Sequence, residues 1–212
     1  DGFQSAAQLT AATAAMTPVD TGEAGCAEAT TVLTKQQPGV QQMARVQTEN
    51  GYMYYAYSAS MAEKGRNCVY VFEAASNRQQ PLTVIKNVAP AQATLQGVIT
   101  HGERLAVLAR GENCTYLRIY SIAEPTKPVL LSAIEQSGAC VQAGLVGENV
   151  YVLSHFVFDP KAEQSVPALT VNGEIHRALP EHIVRLAGAN QAQYTVLGTV
   201  DVQTGKAAED VA

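Results

Sequence analysis

One strand-and-turn pattern recurs three times along the chain, and it limits the fold more than any single motif does. Gly51-Tyr-Met-Tyr54-Tyr-Ala-Tyr57, Gly102-Glu-Arg-Leu105-Ala-Val-Leu108 and Gly147-Glu-Asn-Val150-Tyr-Val-Leu153 each give a turn glycine, two linking residues and an apolar strand. A second pattern, Asn67-Cys68-Val-Tyr70-Val-Phe72, returns as Asn113-Cys114-Thr-Tyr116-Leu-Arg118. The spacing is about 45–51 residues, with room for four strands in each unit, as in radial β-repeats. A small twisted sheet of that kind cannot cover both of its faces alone, so neighbouring units must stack to bury them.

Short alternating or apolar runs bounded by Gly, Asn, Pro and Glu predict strands at 40–48, 52–58, 67–74, 81–88, 93–100, 104–109, 113–121, 128–134, 139–146, 149–155 and 193–202. Tyr120 to Pro128 leaves one strand, turns on Pro125 and Pro128, and re-enters another. Asp201 to Lys206 reads as a tight hairpin turn around Gly205. Before all this, residues 2–16 are Ala-rich and read as one short helix. Ser5 and Gln8 have capping-box spacing, and Leu9, Thr13 and Met16 share its narrow apolar face. Pro18 and Thr21-Gly22 end it. The expected division is a helix and linker over 1–30, then repeats over 31–212, with units at about 39–88, 93–134 and 139–212. The third unit is interrupted by a long excursion over 156–191, and its outer strand is expected to be missing. Connections of that length are unusual in a compact domain and often functional.

These residues resemble the bacterial and archaeal family of secreted proteins with a C-terminal β-propeller domain. Gly39 to Gly51 matches in register the family's opening strand and turn, although Gln41, Gln42, Ala44 and Arg45 replace most of the acidic residues usual there. Tyr120 to Pro128 is similar to the family's Tyr-Asp-Ile-Ser-Asp-Pro-x-x-Pro turn. Pro167 to Gly173, Pro180 to Ile183 and Tyr194-Thr-Val resemble its long insertion and the strand after it. The resemblance implies an all-β fold: a partial β-propeller of about three four-stranded antiparallel blades, preceded by a short N-terminal helix. It also implies a secreted or cell-surface location. About half of a full family propeller is represented, so open blade edges and homo-oligomer formation through them are expected.

Composition excludes several function classes. The net charge of −5 comes from scattered acids and bases, so there is no basic stripe for nucleic acid and no polybasic membrane patch. No apolar run is long enough to span a bilayer, which leaves any membrane tether outside this chain. No phosphate-cradling loop, dinucleotide fingerprint or nucleophile elbow occurs. The glutamates at 103, 112, 124, 135 and 148 sit mostly at expected turns, in solvent. Cys26, Cys68, Cys114 and Cys140 lack zinc-ligand spacing, so neither metal nor cofactor is expected. An even count suits two disulfides in an oxidising compartment. Four cysteines allow three pairings. Equivalent positions in neighbouring blades lie too far apart to bond, and this favours Cys26 with Cys68 and Cys114 with Cys140.

Candidate ligand-binding residues are His155 and Asp159 at the start of the excursion, and His176 and His182 within it. Alternation across Tyr52, Tyr54, Tyr55 and Tyr57 puts one pair toward the core and the other toward a neighbouring sheet. The absence of Trp weakens a sugar platform. The expected function is a non-enzymatic extracellular binding or scaffold module for a protein or glycan. The alternatives are a metal-dependent hydrolase using the excursion, with His155 and Asp159, and a half-propeller that self-associates.

Overall fold

The computed structural model describes residues 5–14, 39–58, 67–75, 80–161, 165–185 and 188–207. Helix α1 spans Ala6–Ala14. At its capping box the Gln8 N–H donates to Ser5 Oγ at 3.3 Å. Leu9 is buried, while Met16 lies outside the described residues.

Among the described residues fourteen strands follow, in three sheets. The first sheet runs β2 (Val46–Glu49), β3 (Tyr52–Ser58), β4 (Asn67–Glu73), β5 (Thr83–Lys86). The second holds β6 (Thr94–His101), β7 (Arg104–Arg110), β8 (Cys114–Ser121) and β9 (Val129–Ser137). The third holds β10 (Ala139–Val146), β11 (Asn149–Val157) and β14 (Gln193–Asp201). Every ladder is antiparallel, as sequential strands joined by short turns must be.

Two features depart from three simple four-stranded units. The expected opening strand is split. Gln41–Gln42 (β1) pairs with β10 of the third sheet, Ala44 bridges Val98 on β6 of the second, and the chain then becomes β2 of the first. One extended segment thus crosses the inner strand of every unit. The second departure is the excursion, which folds into a hairpin, β12 (Ala168–Val171) and β13 (Glu174–Arg177). This hairpin leaves its own unit and adds to β9, making the middle sheet six-stranded. Asn172 and Gly173 both have positive φ (51° and 91°), as the tightest hairpin turn requires. The hairpin covers an edge that would otherwise expose unpaired backbone. In the third unit the outer strand does begin: Ala207 bridges Val200 after the Asp201 turn, and the residues beyond it lie outside those described.

The glycine alignment of the three repeats is off by one residue in the first unit. In all three units a two-residue turn links the first two strands, with Glu49 opposite Tyr52, His101 opposite Arg104 and Val146 opposite Asn149. Gly102 and Gly147 take the first turn position, with φ of 57° and 59°. Asn50, at 49°, takes it in the first unit, where Gly51 is second. Tyr54 therefore corresponds to Ala106 and Tyr151, not to Leu105 and Val150. A slip of one residue exchanges the two faces of a sheet. The Asn67-Cys68 match is displaced by two, which preserves the face: Cys68 lies opposite Tyr57, and Tyr116 opposite Ala109.

Packing follows from the corrected register. Tyr54, Ala56, Val69 and Val71 of the first sheet meet Leu105, Val107, Ala109 and Tyr120 of the second in one core. Ala106, Leu108, Leu117 and Ile119, on the other face of the second sheet, meet Val150, Val152 and Val200 of the third. Leu169 from the hairpin joins this second core. A small third core gathers Leu9 of α1 with Ala178, Ile183, Val166 and Tyr194.

Candidate functional site

Polar side chains bind one unit to the next at both joints. At the first, Asn67 Nδ2 donates to Pro90 O at 2.6 Å and to Ala93 O at 2.8 Å, and its Oδ1 accepts from Ser58 Oγ. Ser58 Oγ accepts in turn from the Leu95 N–H. Thr115 holds the equivalent position in the second sheet, and its Oγ1 donates to Gly138 O at 2.7 Å. Ala93 and Gly138 immediately precede the inner strands of their units, so both contacts fix where the next sheet starts.

The second joint has further polar links. Asn113 acts like one more strand residue for β11, donating to Val157 O at 2.8 Å and accepting from the Val157 N–H. Gln136 of β9 is buried against the third sheet. Its two Nε2 protons are shared among Val152 O (3.1 Å), Ser154 Oγ (2.8 Å) and Val196 O (3.3 Å). Ser154 Oγ donates its own proton to Ser137 O at 2.7 Å. Gly198 makes room for this amide, because a Cβ there would run into Gln136 Oε1. Sequence reasoning missed Gln136 altogether, since nothing in a Glu-Gln-Ser run signals an inserted amide.

The four ligand candidates sit on separate elements: β11, the loop after it, β13 and a short 3-10 turn. His155 lies in β11, half-buried, and hydrogen-bonds with the Gln193 side chain. Burial lowers its pKa, against a smaller opposing effect of Gln193. Asp159 is exposed, and its Oδ1 accepts from the Lys161 N–H at 2.9 Å in a local turn. His176 is exposed on β13, opposite Leu169, and half-buried His182 ends the short 3-10 turn Pro180–His182. Among the described residues, no three His, Cys, Asp or Glu side chains gather as a metal-binding group.

The cysteines also differ from expectation. Cys114 and Cys140 are separate thiols, so the cross-link expected between them does not form. Cys140 packs into the second core, where burial pushes its thiol up to about 11 despite Arg110 nearby. Cys114 Sγ instead donates to Thr115 O at 3.7 Å and lies near the Tyr116 hydroxyl, as Cys68 lies near that of Tyr70. The repeated motif is Cys-x-Tyr, two residues apart on one strand face. Cys26, and with it the Cys26–Cys68 pairing, lies outside the described residues.

What remains is the pair of outward faces. On the first sheet, Tyr55 stacks on Tyr70 (6.4 Å between ring centroids), Tyr57 meets Tyr70 edge-on at 5.9 Å, and Phe72 continues the row. Val46 lies beside Tyr55 on the same face. Tyr54 is in the core, as alternation requires, while the expected neighbouring sheet over Tyr55 and Tyr57 is not among the described residues. On the third sheet the outward face carries Tyr151, Leu153 and Leu197, with His155 near one end. Among the described residues, three sheets therefore stack through two joints, and one face of each end sheet meets no further sheet.

A family model, the Beta propeller domain, matches residues 34–212. The chain belongs to that family. A search among curated proteins gave no match. The three stacked sheets are a partial, open β-propeller with a short helix before it. The crossing segment Gln41 to Glu49 lies along the inner strands of its blades, and the β12–β13 hairpin extends the middle blade outward.

Proposed function

We propose that this propeller segment is a non-enzymatic binding or scaffold module that works outside the cytoplasm, with a protein or glycan as ligand. The observation that carries the reading is the division of labour among side chains. Asn67, Asn113, Thr115 and Gln136 hold blades together, whereas large apolar groups lie on the end faces. Tyr55 and Tyr70 offer rings that combine an apolar body with a polar tip, suited to sugars and peptides alike. The extracytoplasmic location rests on the likeness of Tyr120–Pro128 and of the 167–183 segment to secreted proteins.

The test is a glycan and peptide array probed with the purified chain, alongside hydrolysis assays on the same compounds. Binding without turnover, lost in Tyr55→Ala/Tyr70→Ala, is the expected result. Turnover that disappears in His155→Ala would overturn the reading.

A further inference from the structure

We propose that Asn50 is a site of spontaneous covalent modification, deamidation to aspartate and isoaspartate, and that the fold shields its twin Asn172 from the same reaction. The chain has two Asn-Gly pairs, Asn50-Gly51 and Asn172-Gly173. Such a pair is prone to deamidation because glycine has no side chain to obstruct attack by its own nitrogen. Asn87 shows the contrast. It too has positive φ, 56°, but buried Val88 follows it, and a stiff β-branched side chain blocks the approach.

The backbone does not separate the two pairs. Each closes a two-residue hairpin turn, with Glu49 opposite Tyr52 and Val171 opposite Glu174. Asn50 and Asn172 have φ of 49° and 51°, and Gly51 and Gly173 of 82° and 91°, as this turn requires. Both turns are exposed, so water reaches each. Neither glycine N–H donates to another main-chain group among the described residues.

The side chains do separate them. Asn172 Oδ1 accepts from the Ala133 N–H at 2.8 Å, while the Asn172 N–H donates to Ala133 O at 2.8 Å. Its carboxamide is pinned to β9 and cannot turn toward Gly173 without losing a bond. Exposed Asn50 makes no side-chain hydrogen bond among the described residues, so its Cγ is free to swing toward the Gly51 nitrogen.

The deprotonated Gly51 nitrogen attacks Asn50 Cγ, and a succinimide ring closes through the new N–C bond. The C–Nδ2 bond breaks, and the nitrogen leaves with the proton as ammonia. Water then opens the ring at either carbonyl, giving aspartate or isoaspartate. Both products set a carboxylate beside Glu49 and near Glu73, which lies opposite Tyr52. Isoaspartate also lengthens the main chain by one carbon inside a turn that holds two residues. The Glu49–Tyr52 pair then loses its register, and the bond from the Ala74 N–H to Gly51 O, 2.8 Å, goes with it. Modification at Asn50 thus loosens the inner edge of the first blade and leaves the hairpin on β9 intact.

Peptide mapping by mass spectrometry of the intact chain, aged in mildly alkaline buffer, tests this. The expected result is a mass gain of one water less one ammonia in the peptide holding Asn50. Asn172 should react about tenfold more slowly, the effect of one hydrogen bond that must break first. In urea neither turn exists, and the two pairs should react alike. Amide exchange of the aged protein should be faster at Tyr52 and Ala74 and unchanged at Ala133. Asn50→Asp supplies the charge without the extra carbon and should keep Tyr52 slow, since Asp-Gly suits the same turn. Equal rates in the folded chain, Asn172 reacting first, or two inert pairs that both react in urea would overturn the proposal. Unequal rates in urea would do so as well, because sequence rather than fold would then set the order. Aged protein with unaltered exchange at Tyr52 would overturn the loosening.

Discussion

The two internal joints are built from the same fold element and held by different chemistry. The first is an apolar contact. Tyr54, Val69, Leu105 and Val107 fill it, and its polar link, Asn67 with Ser58, ties the chain where it passes from one blade to the next. The second has a comparable apolar core with an amide driven into it, Gln136, satisfied by two carbonyls and a hydroxyl of the facing blade. An apolar joint tolerates small slides, because any close fit buries the same area. A buried amide does not, because each unmet hydrogen bond costs about 1–3 kcal/mol. The first joint supplies adhesion, and the second adds register.

The largest effect expected is at the apolar joint. Leu105 is fully buried, and Leu105→Ala should destabilise by about 2–5 kcal/mol in urea unfolding, through lost transfer energy and the cavity left behind. Stability in stacked repeats is a sum over units and their interfaces. The loss should therefore fall on the first blade, seen as faster amide exchange in β3 and β4 with β11 and β14 unchanged. Equal exchange throughout would show that the two joints are one cooperative body.

Next comes the keyed joint. Gly198→Ala places a methyl against the Gln136 amide, and Gln136→Ala removes that amide. Each alone should cost about 1–3 kcal/mol, by overpacking in one case and by orphaned polar groups in the other. The double variant should cost less than the sum, since the added methyl then has space. A double-mutant cycle with no coupling would mean that Gln136 does not sit over Gly198 in solution.

A smaller contrast separates the two asparagines. Asn67 is buried and bridges three partners, while Asn113 is exposed and pairs with Val157 alone through its side chain. Asn67→Ala should cost about 1–3 kcal/mol by leaving buried groups unpaired, and Asn113→Ala about 1 kcal/mol or less because water replaces it. Thermal melts of both variants check the order.

Much of this architecture was legible in the sequence. Period-2 patterning marks ten of the strands within a few residues, from Tyr52–Ser58 to Gln193–Asp201, because half-buried strands alternate visibly. The β12–β13 hairpin escaped, although Asn172-Gly173 flanked by apolar residues is a strong hairpin signal. Only four residues on each side pair, and the strand they join, β9, belongs to another blade. Register in the first blade was lost for a chemical reason: Asn50 does at one turn what Gly102 and Gly147 do at the others. The repeated cysteines drew attention as cross-links, while their tyrosine partners stood two residues away. The joints themselves could not be read, since Gln136 and Gly198 acquire meaning only when two sheets meet.

His155 gives the finest test of the difference between covered and open faces, because it lies on the open side of the third blade. Burial lowers its pKa below the ordinary histidine value. In the unfolded chain the imidazole takes up a proton near pH 6.5, while in the folded chain it resists protonation until lower pH. The unfolded state therefore binds more protons in that window, and stability should fall as pH drops from 7 through about 6.5 and below, with no contribution above it. His155→Gln should flatten that part of the stability–pH curve and leave the neutral-pH value little changed. NMR titration of the imidazole gives the sign independently. A folded-state pKa above that of the unfolded chain would reverse the slope and place His155 in contact with a negative charge rather than with Gln193.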